Sequence, residues 1–170
     1  MATTTILLST ATQAIRPVGK VGKVATMAEW CNNTDTPDLC NSIMKNTKFG
    51  TCEQATRSAI NGTMVEINGG IAKIETLVET TEGQIKSLLE GCKEQYNFAI
   101  DDLNNALNQI QVDQSELMNS LSAVESYVQT CADGFSDFSM TNPIGHVNGL
   151  LDQLSSVNLA LATNLPALED

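Results

Sequence analysis

Apolar residues recur at steps of three or four along most of the chain beyond residue 50. Ile85, Leu88, Cys92 and Tyr96 show this spacing, and it continues to Ile110. Such a stripe is typical of a helix with one face in a shared core. Equivalent stripes predict four long helices, near residues 52–80, 82–111, 114–132 and 143–164.

Capping signals precede the predicted helices. The spacing of a capping box, in which a side chain at the helix start satisfies free backbone N–H groups, occurs at residues 51–54, 81–84 and 113–116. Asn142-Pro143 and Thr36-Pro37 combine a cap with a proline suited to the first helical position. The second of these predicts a short helix through about Lys45.

Short turns between the long helices make consecutive helices antiparallel neighbours. The sequence therefore predicts an all-α, up-down-up-down four-helix bundle over residues 52–166, preceded by a helical hairpin near 26–46. The longest connection is expected at Asp133–Thr141. Gly62, Gly69 and Gly70 weaken the first long helix, so a break near residues 61–70 is also expected.

The charge is acidic and unevenly distributed. The chain has a net charge of −11, yet residues 1–28 contain Arg16, Lys20 and Lys23 and no acid. We interpret residues 1–25 as a tail or a remnant leader and residues 26–170 as the folded domain. Its acidity argues against nucleic acid and anionic membranes as partners and favours a basic protein partner.

Five cysteines allow two disulfides and one free thiol, which can be arranged in fifteen ways. Spacing favours Cys31–Cys40 across a short polar stretch and Cys92–Cys131 between neighbouring helices, with Cys52 as a buried free thiol. The cysteines lack the close pairs of a zinc site. No metal or cofactor is expected.

No catalytic centre is expected either. His146 is the only histidine, so a Ser-His-Asp triad would depend on it alone. A filled bundle core also lacks the cleft that a carboxylate pair needs for glycoside hydrolysis. The acidic residues are instead candidates for contact with a partner, and those predicted to face it are Glu75, Glu79, Glu82, Glu90 and Glu94.

Two Asn-x-Thr sequons are candidate N-glycosylation sites if the chain enters the secretory pathway. They place the acceptor side chains at Asn32 and Asn61.

The chain resembles the plant invertase and pectin methylesterase inhibitors. The resemblance rests on W-C-NNTDTPDL-C at Trp30–Cys40, on CKEQYNFAIDDLNNAL from Cys92, on LSAVESYVQTCADGF and on the terminal LSSVNLALATNLPAL. It implies a helical hairpin closed by Cys31–Cys40 and a four-helix bundle closed by Cys92–Cys131. It also implies a non-enzymatic, secreted protein of the cell wall or apoplast that occludes the substrate cleft of an enzyme in a 1:1 complex; the sequons would make it a glycoprotein.

The expected target is pectin methylesterase. The Pro-Lys-Phe motif of the invertase-inhibiting branch is missing from the corresponding stretch NQIQVDQSEL, which makes acid invertase the less favoured partner. A non-inhibitory bundle, such as a pollen allergen-like protein or a carrier of small ligands, is the remaining alternative.

Overall fold

The computed structural model describes residues 30–32, 34–45 and 50–166. The predictions for residues 1–25 and for the first part of the hairpin lie outside these residues. The described chain forms helices α1 (Pro37–Lys45), α2 (Cys52–Thr80), α3 (Gly83–Gln109), α4 (Gln114–Asp137) and α5 (Gly145–Thr163).

The four long helices form the predicted bundle. Helix α3 packs against α2 and α4, and α5 packs against α4 and α2, so each helix has two neighbours in a square arrangement. The apolar stripes meet along the centre, where most core side chains are fully buried. The largest of them are Tyr96, Phe135, Ile60, Ile67, Ile74, Leu89, Leu103, Ile110, Leu117, Leu121 and Ile144.

Two of the predicted helix caps form. The Thr51 hydroxyl accepts the Gln54 N–H at 3.2 Å, and the Asp113 carboxylate accepts the Glu116 N–H at 3.0 Å. The box predicted at residues 81–84 does not form, because the N-cap of α3 is Glu82, whose side chain makes no capping bond. Gly83, with φ of 65°, takes the turn between α2 and α3 instead, a conformation that favours glycine.

The last two helices differ from their predicted limits. Helix α4 runs to Asp137, five residues past the expected end, because Phe135 extends its buried stripe and is only 1% exposed. Helix α5 begins at Gly145, and Pro143 stays in the preceding turn. There the Asn142 side-chain oxygen accepts the Ile144 N–H at 2.9 Å.

The expected break in α2 is absent, and the helix runs for 29 residues without interruption. Gly70 explains why a glycine stands in its middle. A Cβ atom at that position would lie 2.9 Å from Cε2 of Tyr96 and 3.1 Å from Cγ1 of Val147. The missing side chain therefore lets α2 approach α3 and α5 closely, and the tertiary packing outweighs the low helix propensity of glycine.

A buried polar network lies beside this close approach. The Tyr96 hydroxyl donates to Oδ1 of Asn148 at 2.9 Å, and the Asn148 amide donates to the Val128 carbonyl at 2.8 Å. Both side chains are almost fully buried, so each bond satisfies a polar group that water does not reach. Burial raises the pKa of Tyr96 well above its usual range. The network ties α3, α4 and α5 together.

The structure has the two predicted disulfides, Cys31–Cys40 and Cys92–Cys131, and Cys52 is a buried free thiol. The first disulfide holds the start of the described chain to α1. Leu39 and Ile43 of α1 pack against the bundle core and line one cleft together with residues of α2 and α5. Helix α1 therefore lies on the α2–α5 side, and among the described residues it does not extend over the opposite side, formed by α3 and α4.

Candidate partner-binding surface

The second half of the chain carries carboxylates and neither lysine nor arginine. Lys93 is the last lysine or arginine, and residues 94–166 contain neither of the two. Carboxylates are spread along α3, α4, α5 and their turns over this range. They are Glu94, Asp101, Asp102, Asp113, Glu116, Glu125, Asp133, Asp137 and Asp152.

Two aromatic side chains lie among these acids on the side formed by α3 and α4. Phe98 of α3 and Tyr127 of α4 are in contact, with ring centroids 5.7 Å apart and planes tilted by 43°. Phe98 is 44% exposed, although an aromatic ring gains most from burial. We define the α3–α4 face by these two rings and the polar residues beside them, which are Asp101, Asp102, Asn105 and Glu116.

Asp102 couples the aromatic pair to the charge of this face. The Tyr127 hydroxyl interacts with the Asp102 carboxylate, and each group affects the pKa of the other. Partial burial raises the pKa of Asp102, with smaller contributions from the Asp101 and Glu116 carboxylates, while the interaction with Tyr127 opposes the rise. Partial burial and the Asp102 charge in turn raise the pKa of Tyr127. The face therefore combines one partly buried carboxylate, Asp102, with the exposed carboxylates of Asp101 and Glu116.

Asn105 fixes the helices across the face. Its amide donates to Glu116 Oε1 at 3.2 Å and to Ser120 Oγ at 2.8 Å, so one α3 side chain bridges two positions on α4. The Cys92–Cys131 disulfide joins the same two helices further along, with Cα atoms 4.7 Å apart. The surface is thus carried on two cross-linked helices, which favours a preformed binding site.

The five glutamates predicted to face a partner lie elsewhere, on α2, on the first half of α3 and in the turn between them. All five are exposed. Glu75 is paired with Lys93 at 2.6 Å, and Lys73 and Lys86 lie in the same part of the sequence. Lys93 therefore compensates the charge of Glu75, whereas the ion pairs of the described residues include no carboxylate of the α3–α4 face. The role assigned to these glutamates stays a prediction.

Sequence reasoning did not identify Phe98, Tyr127 or Glu116 as residues that contact a partner. The signal available was the absence of lysine and arginine beyond Lys93, which an average over the whole chain conceals. The contact between Phe98 and Tyr127 depends on how α3 and α4 align, and periodicity alone does not fix that alignment.

The described part of the chain also bears on two other kinds of feature, a metal site and a membrane-spanning helix. Among residues 30–32, 34–45 and 50–166, no three His, Cys, Asp or Glu side chains are grouped to hold a metal ion. None of the helices described here is long and apolar enough to cross a membrane.

Comparison with protein families shows to which family the chain belongs. The family described as plant invertase/pectin methylesterase inhibitor matches residues 25–161. The chain belongs to this family. The match covers α2, α3 and α4 completely and α5 up to residue 161, and it includes all four disulfide cysteines.

Curated relatives from Arabidopsis thaliana are longer. "Probable pectinesterase/pectinesterase inhibitor 21" is 28% identical over 123 residues, which are 66% of this chain and 18% of that protein. A protein of the same two-part description, numbered 45, is 28% identical over 169 residues, which are 92% of this chain and 27% of its own length. The chain thus spans about a quarter or less of these relatives.

Solved structures support the fold. A mutant form of a pectin methylesterase inhibitor from Arabidopsis superimposes with a TM-score of 0.73 at 17% identity, covering 82% of this chain and 97% of that one. A second structure, of a pectin methylesterase inhibitor from Arabidopsis thaliana, gives a TM-score of 0.64, also at 17% identity, and covers 83% of this chain and 96% of the other. At this identity the likeness establishes the helical bundle fold.

Proposed function

We propose that this protein is a secreted inhibitor of a plant cell-wall pectin methylesterase, and that it binds the enzyme through the α3–α4 face. Membership of the inhibitor family supports the target class, and two disulfides favour an oxidising, extracellular compartment such as the apoplast. The observation that carries the proposed binding face is the exposed Phe98–Tyr127 pair, set beside carboxylates in a part of the chain that has no lysine or arginine after Lys93.

The physical roles of the two components differ. The carboxylates attract a basic enzyme and orient it during the encounter, which mainly raises the association rate. The aromatic pair provides the apolar contact that holds the complex, because aromatic residues near the centre of an interface often dominate its binding energy. Inhibition then requires no chemistry from the bundle, since a rigid 1:1 partner over the substrate cleft excludes pectin.

Titration of a purified pectin methylesterase with the purified chain tests the function. We expect ester hydrolysis to fall to a plateau at an equivalence point of one chain per enzyme, and acid invertase to retain its activity. The absence of Pro-Lys-Phe motivates the second expectation. Inhibition of invertase alone would assign the chain to the other branch of the family, and inhibition of neither enzyme would favour a non-inhibitory bundle.

Paired variants test the face. Phe98→Ala should weaken inhibition at least tenfold, as expected when an interface hot spot is truncated at a cost of about 2 kcal/mol or more. The matched control is Val65→Ala on α2, which removes a side chain that is 69% exposed and far from the face in sequence. Equal inhibition by both variants would contradict this choice of surface.

Charge reversal distinguishes the two acidic surfaces. Asp101→Lys with Glu116→Lys should slow association, and the effect should shrink as salt rises, because exposed charges are screened within about 10 Å at 0.1 M salt. The comparison variant carries Glu79→Lys and Glu82→Lys, on the surface that sequence reasoning favoured. A larger effect from the comparison variant would move the contact to α2 and its turn.

A further inference from the structure

The Asn61-Gly62-Thr63 sequon lies in the middle of α2, outside the α3–α4 face. The Asn61 side chain is exposed, and its amide donates to the Arg57 carbonyl at 2.8 Å. Arg57 in turn reaches the Leu107 carbonyl of α3 at 3.0 Å. An attachment at Asn61 would therefore start from an exposed position on α2, a helix that carries neither Phe98 nor Tyr127.

The third residue of the sequon has the opposite environment. Thr63 is fully buried, its hydroxyl donates to the Ala59 carbonyl at 3.0 Å, and it accepts the Asn158 amide of α5 at 2.9 Å. A glycosyltransferase that recognises the Asn-x-Thr pattern has to reach this hydroxyl. In the folded bundle the hydroxyl is inaccessible, although the acceptor Asn61 is exposed.

We propose that Asn61 carries an N-linked oligosaccharide that is added before α5 packs against α2. The Asn61 amide nitrogen forms a bond to the anomeric carbon of the first sugar of an oligosaccharide carried on a lipid pyrophosphate. The bond from that carbon to the pyrophosphate oxygen breaks, the lipid pyrophosphate leaves, and the amide nitrogen loses one proton. The proposal rests on the extracellular location proposed above.

The order of synthesis provides time for this reaction. The bond that Asn158 makes to Thr63 joins residues 95 positions apart. At synthesis rates of about 5–20 residues per second, Asn158 appears roughly 5–20 s after Thr63. During this interval α2 cannot acquire its α5 neighbour, and the sequon stays accessible.

In the second sequon, at Asn32, the threonine is buried by contacts with residues close to it in the sequence. Its Thr34 is also buried, and the Thr34 hydroxyl donates to the Cys31 carbonyl only three residues away, at 2.9 Å. The Cys31–Cys40 disulfide, with a sequence separation of 9, closes the stretch that contains it. Because these contacts need only nearby residues, we expect Asn32 to be modified less than Asn61.

Expression of the full chain behind a secretion signal in a eukaryotic host tests the site, whatever the natural location. The secreted protein is treated with an amidase that releases N-glycans and leaves aspartate at each modified position, and peptide mass spectrometry then gives the occupancy of Asn61 and Asn32. Asn61→Gln should abolish the main glycan, whereas Thr63→Ser, which keeps a hydroxyl, should retain it. Cys40→Ser should raise the occupancy of Asn32.

A timing experiment separates the order of events from the site itself. Microsomal oligosaccharyltransferase with its lipid-linked oligosaccharide is offered either the folded, oxidised chain or the reduced, denatured chain. We expect modification of Asn61 in the denatured chain at least tenfold above that in the folded chain. Unmodified Asn61 in the secreted protein, or equal modification of folded and denatured chains, would overturn the proposal.

The glycosylation experiments are independent of the inhibitor assay. Asn61→Gln should inhibit pectin methylesterase as well as the glycosylated chain does, because Asn61 lies outside the α3–α4 face. A chain that is glycosylated but inhibits nothing would therefore refute only the proposed function.

Discussion

Gly70 provides the sharpest test of the packing described above. A methyl group there would meet Cε2 of Tyr96 at 2.9 Å, and that ring is fully buried and hydrogen-bonded to Asn148. The ring cannot move aside without straining this bond. We expect Gly70→Ala to leave the stability of the bundle unchanged or to lower it, although alanine is the better helix former.

The adjacent Gly69 is the matched control. It lies in the same helix, is exposed, and would place no atom within 4 Å of an added Cβ. Gly69→Ala should therefore gain the helix-propensity difference alone, about 1 kcal/mol. At Gly70 the same gain is opposed by overpacking of about 1–3 kcal/mol, so the two variants should differ by roughly this amount.

Thermal unfolding followed by circular dichroism measures the difference. For domains of 150–250 residues, about 1 kcal/mol corresponds to about 2–4 °C in Tm. We expect Gly69→Ala to raise Tm by about this much and Gly70→Ala to leave it unchanged or lower it. A Tm for Gly70→Ala as high as that for Gly69→Ala would show that the close approach of α2 to Tyr96 is not a constraint.

Three further predictions concern titration, thiol chemistry and the buried network. The pKa of Asp102 is raised in the folded state, so the folded chain binds the Asp102 proton more tightly than the unfolded chain does. The ionised carboxylate therefore lowers the free energy of unfolding above the folded-state pKa, and this cost disappears as pH falls through that pKa. Asp102→Asn should flatten the dependence of Tm on pH in the weakly acidic range, and an unchanged slope would contradict this. Burial raises the pKa of the Cys52 thiol, so Cys52 should react with a thiol reagent at neutral pH only after denaturation, and rapid labelling of the native chain would contradict its burial. Asn148→Ala should cost about 1–3 kcal/mol in urea unfolding, because the Tyr96 hydroxyl loses its buried acceptor; Tyr96→Phe made together with it should recover part of the loss, and a further loss would refute the network.

The sequence was sufficient for the fold because several local signals agreed. Helix number and order followed from the apolar spacing, and the caps at Thr51 and Asp113 fixed two helix starts. The errors arose where a tertiary contact overrides a local tendency. The close approach at Gly70 keeps α2 continuous, and Phe135 prolongs α4.

The candidate binding face was less predictable for a physical reason. Acidic residues can be counted in a sequence, but compensation by lysines depends on which side chains come together in space. Glu75 showed this most clearly, since Lys93, its partner, lies on the next helix. The pairing of Phe98 with Tyr127 likewise needs the register of α3 against α4.

The Cys92–Cys131 disulfide has a consequence for refolding after the bundle has unfolded. It closes the hairpin of α3 and α4 with a sequence separation of 39, so these helices stay tethered even when heat or denaturant opens the bundle. The disulfide restricts the unfolded chain, so less conformational entropy is lost when the two helices come together again on refolding. After transient unfolding, the segment bearing Phe98 and Tyr127 starts from a restricted ensemble, whereas α2 and α5 must return from the open chain.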